Sequence, residues 1–344
     1  MNNHLYSNHY SQRGLTMVEL MVALALGLFL TAGVLHLYAG SKSTNNTLQG
    51  IARIQENGRI SIERLKLDLR MAGFMGCSNL GVAEPNHIVP DTTFPFNLES
   101  VIQGVNNVAA VNADNAVVGS DVLTIITASP ADATLKVNMP AKNSDVVITV
   151  NPNSIKSGDT VVITDCENAD VFVASEVTDA SNQTVIKHKK FEADGTTSTA
   201  NGSNSLSKAY RVNALILSVE QATYAVRDTG RTDASGNAIL SLFKTPPGGT
   251  PVEMITGVED MQITYGRDTG VDGSADVYDT AAAITGTQWG SVVSVRIALL
   301  VSSAADVGSE KRPYTFQGTL VASPPDNRMR REFTTTVNLR NRNS

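Results

Sequence analysis

Three groups of residues have the types and spacing to do chemistry. Glu19 stands at the edge of an uncharged run that reaches from Leu20 to Ser41 before Lys42 interrupts it. A carboxylate there is costly to desolvate unless a cation meets it, and an acid at the margin of a membrane segment is by default a functional residue. Asp268, Asp272, Asp276 and Asp279 take the first, fifth, ninth and twelfth places of a twelve-residue span with Gly273 sixth. Oxygens alternating around a glycine turn match an EF-hand-like calcium loop, so structural calcium is the one cofactor the sequence suggests. The span departs from that pattern with Gly270 at its third place and aspartate, not the longer glutamate, at its last. The competing reading is an Asx- and Gly-rich hairpin loop. Cys77 and Cys166 are the only cysteines. Two cysteines cannot build a four-ligand zinc site, and they fit a sparse structural disulfide.

Catalysis finds little support. His4, His9, His36, His87 and His188 are scattered, and no Gly-x-Ser-x-Gly, phosphate loop or His-Glu-x-x-His is present. The expectation is a protein that is not an enzyme. A net charge of -6 argues against a general nucleic-acid binder. Arg328, Arg330, Arg331, Arg340 and Arg342 cluster near the C-terminus, where they read as a solvated strand edge or a contact for an acidic neighbour before they read as a DNA contact.

These groups need elements to hold them. With 344 residues, 42% hydrophobic and 17% charged, the chain can bury a sizeable core. The run from Leu20 to Ser41, roughly 22 residues, makes a helix of about 33 Å, enough to cross a bilayer's hydrocarbon. Gly27 and Gly33 allow close helix approach there. Ile51, Ile54, Ile62, Leu65 and Leu69 then recur at helical spacing among charges, which predicts an amphipathic continuation stopped by Gly73 and Gly76. From Cys77 the period changes. Short β-branched runs at 122–127, 145–150, 160–164 and 171–174 predict strands of an antiparallel sheet, with more at 215–226, 239–244, 261–265, 292–301 and 333–339. Residues 194–207, rich in Gly, Ser, Thr and Asn, read as an exposed loop or a boundary between subregions.

The octet Arg13-Gly14-Leu15-Thr16-Met17-Val18-Glu19-Leu20 ahead of an apolar helix resembles the processing signal of type IV prepilins and type II secretion pseudopilins. The resemblance implies cleavage by the prepilin peptidase between Gly14 and Leu15, N-methylation of Leu15, and pairing of Glu19 with a neighbouring subunit's N-terminal amine. Leu15 departs from the more usual phenylalanine. The segments 257–266 and 292–301, and the closing strand after Arg328, resemble large minor pilins of the PilW type. The implied fold is α+β: a leader at 1–14, a membrane and assembly helix at 15–41, an amphipathic helix at 42–76, and a β-rich periplasmic head at 77–344. An oxidising periplasm favours a Cys77–Cys166 disulfide, worth about 4–5 kcal/mol by chain entropy before strain. The implied function is a minor pilin that primes type IV pilus assembly and sits at the tip. Its implied partners are other minor pilins, the major pilin, the inner-membrane assembly machinery and a tip adhesin. The alternatives are a minor pseudopilin of a type II secretion system and a membrane-anchored adhesion or binding module.

Overall fold

A computed structural model describes residues 16–76, 86–87, 101–110, 114–129, 133–149, 151, 155–190, 201–246, 249–307 and 310–341. Gly14, Leu15, Cys77, Arg342 and residues 194–200, to which the sequence assigns roles, lie outside them.

One helix, α1 (Met17–Met71), runs unbroken for 55 residues. No proline interrupts it. The hydroxyls of Thr31, Thr44 and Thr47 donate to the carbonyls of Gly27, Gly40 and Ser43 one turn back, so they carry no unsatisfied donor on the exposed surface. At 1.5 Å per residue α1 is about 80 Å long. Its first half is exposed on every side, and its second buries one face made of Gly50, Ile54, Gly58, Ser61, Leu65 and Leu69. Gly73 (φ 74) and Gly76 (φ 83) supply the left-handed backbone that turns the chain out of the helix, as expected.

Among the described residues, eighteen strands follow. The first nine are β1 (Asn86–His87), β2 (Ile102–Val105), β3 (Val122–Ala128), β4 (Ala133–Thr134), β5 (Val146–Ile148), β6 (Thr160–Thr164), β7 (Ala169–Val173), β8 (Glu176–Ala180) and β9 (Gln183–Lys187). The rest are β10 (Leu215–Thr232), β11 (Ala238–Thr245), β12 (Val252–Thr256), β13 (Val258–Arg267), β14 (Val277–Asp279), β15 (Val292–Ser302), β16 (Tyr314–Phe316), β17 (Thr319–Val321) and β18 (Arg330–Asn338). Among the described strands every pairing is antiparallel except β1 with β7.

The largest sheet has a main path of β1-β7-β6-β10-β11-β12, with β3 and β4 also pairing to β10 and β2 to β3. β10 is its spine. Leu215–Ser218 pair with β6, Val219–Tyr224 with β3, and Thr223–Thr232 with β11. A second sheet, β14-β13-β15-β18, lies against α1, and a third, β5-β9-β8, packs beside β6 and β7. β15 is buried along almost its whole length, with Arg296 its one exposed residue, and its sequence is apolar but for Ser294, Arg296 and Ser302. Val337 and Leu339 are buried on alternate places of the last strand region, as its pattern predicts.

Two expectations need correction. Residues 201–207 form a loop that is exposed only in part: Gly202, Asn204 and Ser205 are exposed, but Asn201 and Leu206 are buried, and the Asn201 side chain accepts from the Val173 amide at 2.9 Å and donates to its carbonyl at 2.7 Å. A polar stretch can be pinned when its side chains replace the missing strand partner. The basic cluster is not a solvated edge at its first two members, because Arg328 and Arg330 are buried in ion pairs described below.

Candidate functional site

The amino end of α1 holds the last residues of the octet that precedes the apolar run. Thr16 is its N-cap, and its hydroxyl accepts from the Glu19 amide at 3.3 Å. This sets Glu19 one turn into the helix, exposed, and among the described residues no cation meets its carboxylate. From Met17 to Tyr38 the helix presents Leu20, Leu24, Leu28, Phe29, Leu35 and other large apolar side chains to the outside, more than half exposed. Among the described residues this helix is the one candidate membrane span, and none of its most apolar stretch is buried against the head. A surface of that length and character is stable only in lipid or against other apolar helices.

The carboxyl half fixes how that surface is presented. Gly58 faces the Phe333 ring so closely that a Cβ there would run into it, and a Cβ on Gly50 would come within 3.0 Å of Val307. The small residues thus let α1 settle onto the sheet, with Ile54, Leu65 and Leu69 filling the space between. Polar contacts fix the axial position. Asn57 donates to the Thr256 carbonyl at 2.8 Å, Thr127 to that of Met71 at 2.8 Å, and Asn341 to that of Ala72 at 3.1 Å. Asp68 accepts from the Tyr224 hydroxyl and from Lys244 at 3.4 Å. Burial, then the Asp68 bond, push the Tyr224 hydroxyl far above its usual range and keep it a donor.

Beside this dock, Arg328 is inserted between the two large sheets. Its guanidinium donates to Asp233 at 2.8 and 3.2 Å and to the carbonyls of Ala238 and Asn237 at 2.9 and 3.1 Å. Arg330 donates to Glu259 and, at 2.7 and 2.8 Å, to Asp326, and lies 5.3 Å from the centre of the Tyr314 ring. Burial pushes the Asp233 carboxyl up, but the Arg328 bond and the Asn237 and Ser235 amides outweigh it and hold the group at about 2. The sequence displays the arginines as a cluster with Asp326 beside them, but Asp233 and Glu259 lie 95 and 71 residues away, and no local pattern joins those two to it.

The four aspartates of the acidic span are placed differently from a cation cage. Asp268 accepts from the amides of Val271, Asp272 and Gly273, and Asp272 from that of Ser274. Asp276 accepts from the Thr269 hydroxyl at 2.8 Å and from two amides, which hold its carboxyl below the usual range. Asp279 pairs with Arg267 at 2.6 and 2.8 Å. Among the described residues no group of three or more His, Cys, Asp or Glu is arranged to hold a metal ion. The geometry is that of an Asx- and Gly-rich loop between β13 and β14.

Cys166 lies in the turn after β6 with φ 72, its amide donating to the Thr164 hydroxyl at 3.2 Å. No described cysteine is free.

Two family models match. Residues 10–35 match the prokaryotic N-terminal methylation motif, and residues 223–341 match type IV pilus-assembly protein W. The first covers the processing octet and the start of α1; the second begins within β10 and includes β13, β15, β18 and the Arg328 cluster. No curated protein and no solved structure matches the chain.

Proposed function

We infer that this chain, a type IV pilin of the PilW type, primes pilus assembly as a minor pilin and ends at the pilus tip. The observation that carries this reading is α1 itself: one half docked by a row of small residues, the other bare and apolar, with a methylation motif at its start. Before assembly the bare half spans the inner membrane, with the head in the periplasm. The prepilin peptidase cuts between Gly14 and Leu15, Leu15 is N-methylated, and a Cys77–Cys166 disulfide ties the base of the helix to the turn after β6.

Assembly then follows from desolvation. Glu19 reaches the apolar interior of a helix bundle at low cost only when a neighbour's N-terminal amine meets it, so the charge pair sets the register. A small complex with other minor pilins offers the major pilin a ready bundle and removes the cost of nucleation. Twitching, adhesion or DNA uptake belongs to the whole filament and its tip adhesin.

The test is the intact mass and N-terminal peptide of the protein from sheared filaments and from inner membrane, with Glu19→Ala alongside. The expected result is a chain beginning at methylated Leu15 in both fractions, and a Glu19→Ala protein processed normally but absent from filaments. A chain that keeps Met1, or full incorporation of Glu19→Ala, overturns the reading. Recovery with a secretion apparatus and no pilus points to the type II pseudopilin instead.

A further inference from the structure

The segment between α1 and the matched C-terminal part holds a core of its own and a cavity that the assembly role leaves unused. Its core packs Leu135, Val146, Ile163, Phe172 and Ile186 with Tyr210. Beside it lies a cavity of about 620 Å³, with Thr149, Asn151, Ile155 and Lys156 on one side and the β8–β9 hairpin from Asp179 to Thr184 on the other. That volume is within the usual range for a small-molecule site.

Both walls are tied down by bonds that leave other polar atoms facing the space. Asn151 uses both ends of its amide on Ile155, accepting its N–H at 2.7 Å and donating to its carbonyl at 3.0 Å. Across the cavity the Asp179 carboxylate accepts from the Thr184 hydroxyl with one oxygen, at 2.5 Å. Lys136, outside the lining, braces the hairpin turn by donating to the Asn182 carbonyl at 3.1 Å and to the Gln183 side-chain oxygen at 3.3 Å. This orients the Gln183 amide group with its donors unspent. Among the described residues, the Lys156 ammonium and the second Asp179 oxygen likewise have no protein partner.

We propose that this cavity, between Lys156 and the Asp179–Thr184 hairpin, binds a neutral carbohydrate. The lining offers both donors (Lys156, Gln183, Asn182) and acceptors (Asp179, Ser181, Thr149), and a sugar hydroxyl both gives and takes a hydrogen bond. Its two charges are opposite, so an acidic ligand meets Asp179 and a basic one meets Lys156, each with a repulsion that a neutral polyol avoids. Few side chains need ordering on binding, because the hairpin and the Asn151 turn are already held.

The test is saturation-transfer NMR on the full chain in an amine-oxide detergent, chosen because its headgroup is not a sugar. The probes are glucose, galactose, mannose and N-acetylglucosamine, with sialic acid and glucosamine as charged comparisons. The expected result is transfer to the ring protons of at least one neutral sugar, with binding about tenfold weaker in Lys156→Ala and in Asp179→Asn at an unchanged melting temperature. Asp179→Asn keeps an acceptor for Thr184, and Lys156→Ala removes no contact within the protein, so the fold is retained in both. No transfer to any neutral sugar, transfer to a charged probe alone, or equal transfer in the variants overturns the proposal. Filament incorporation is indifferent to each of these outcomes, so the assembly reading stands or falls separately.

Discussion

Replacing Arg328 by methionine tests what joins the two large sheets. The Arg328 side chain is 5% exposed and that of Asp233 1%, and methionine fills similar volume without the charge. The variant leaves the Asp233 carboxylate buried without its cation and strips two carbonyls of a donor. Breaking one side of a buried pair costs about 3–5 kcal/mol. At about 2–4 °C per kcal/mol for a domain of this size, the melting temperature at pH 7 should fall by roughly 10 °C. Asp233→Asn added to Arg328→Met removes the orphaned charge, so the double variant should recover part of the loss. Acid supplies a second check. Asp233 is held at about 2 in the fold against 3.8 when unfolded, so its contribution is complete above about 3.8 and lost as the pH falls toward 2. The gap between wild type and Arg328→Met should therefore close over that window. A loss under 2 °C at pH 7, or a double variant less stable than the single one, refutes the argument.

Gly58→Ala should destabilise the head by about 1–3 kcal/mol, because its methyl meets the Phe333 ring, and Phe333→Leu should relieve part of that in denaturant melts. Reduction should shift the head's denaturation midpoint down if Cys77 and Cys166 are joined, with an effect of up to about 4–5 kcal/mol, and a Cys77→Ser, Cys166→Ser chain should no longer respond to reductant. Millimolar calcium should leave both the melting temperature and calorimetric heats unchanged, because Asp268 and Asp276 already serve their own loop's amides and Asp279 serves Arg267; saturable heat refutes this.

Strands whose side chains are buried on both faces were the most legible part of the sequence. Val161, Val162 and Ile163 in β6, and Ile297 to Val301 in β15, form apolar runs that declare themselves. The β8–β9 hairpin was not legible: Glu176–Ala180 is mostly exposed and polar, its turn at Ser181 and Asn182 lacks glycine, and only Ile186, with Val177 packed partly against the same core, gives it an apolar core position. The helix stripe was half legible. Ile54, Leu65 and Leu69 mark the buried face, but Ile51 and Ile62 lie at its margin, and its centre is shared by Gly50, Gly58 and Ser61, which carry no hydrophobic signal. Glu19 was legible as a motif because its meaning depends on local spacing. Asp233 was invisible because its partner lies 95 residues away.

β10 has a mechanical consequence. It contributes to four cores without a linker, so a tug on the end of the head that pairs with β6 passes along a continuous hydrogen-bonded ribbon to the sheets that grip α1. β10 itself is unbroken from Leu215 to Thr232. A filament ending in such a subunit would feel its tip as a taut rope feels its anchor, with force arriving at the base of the helix and not being spent in the head.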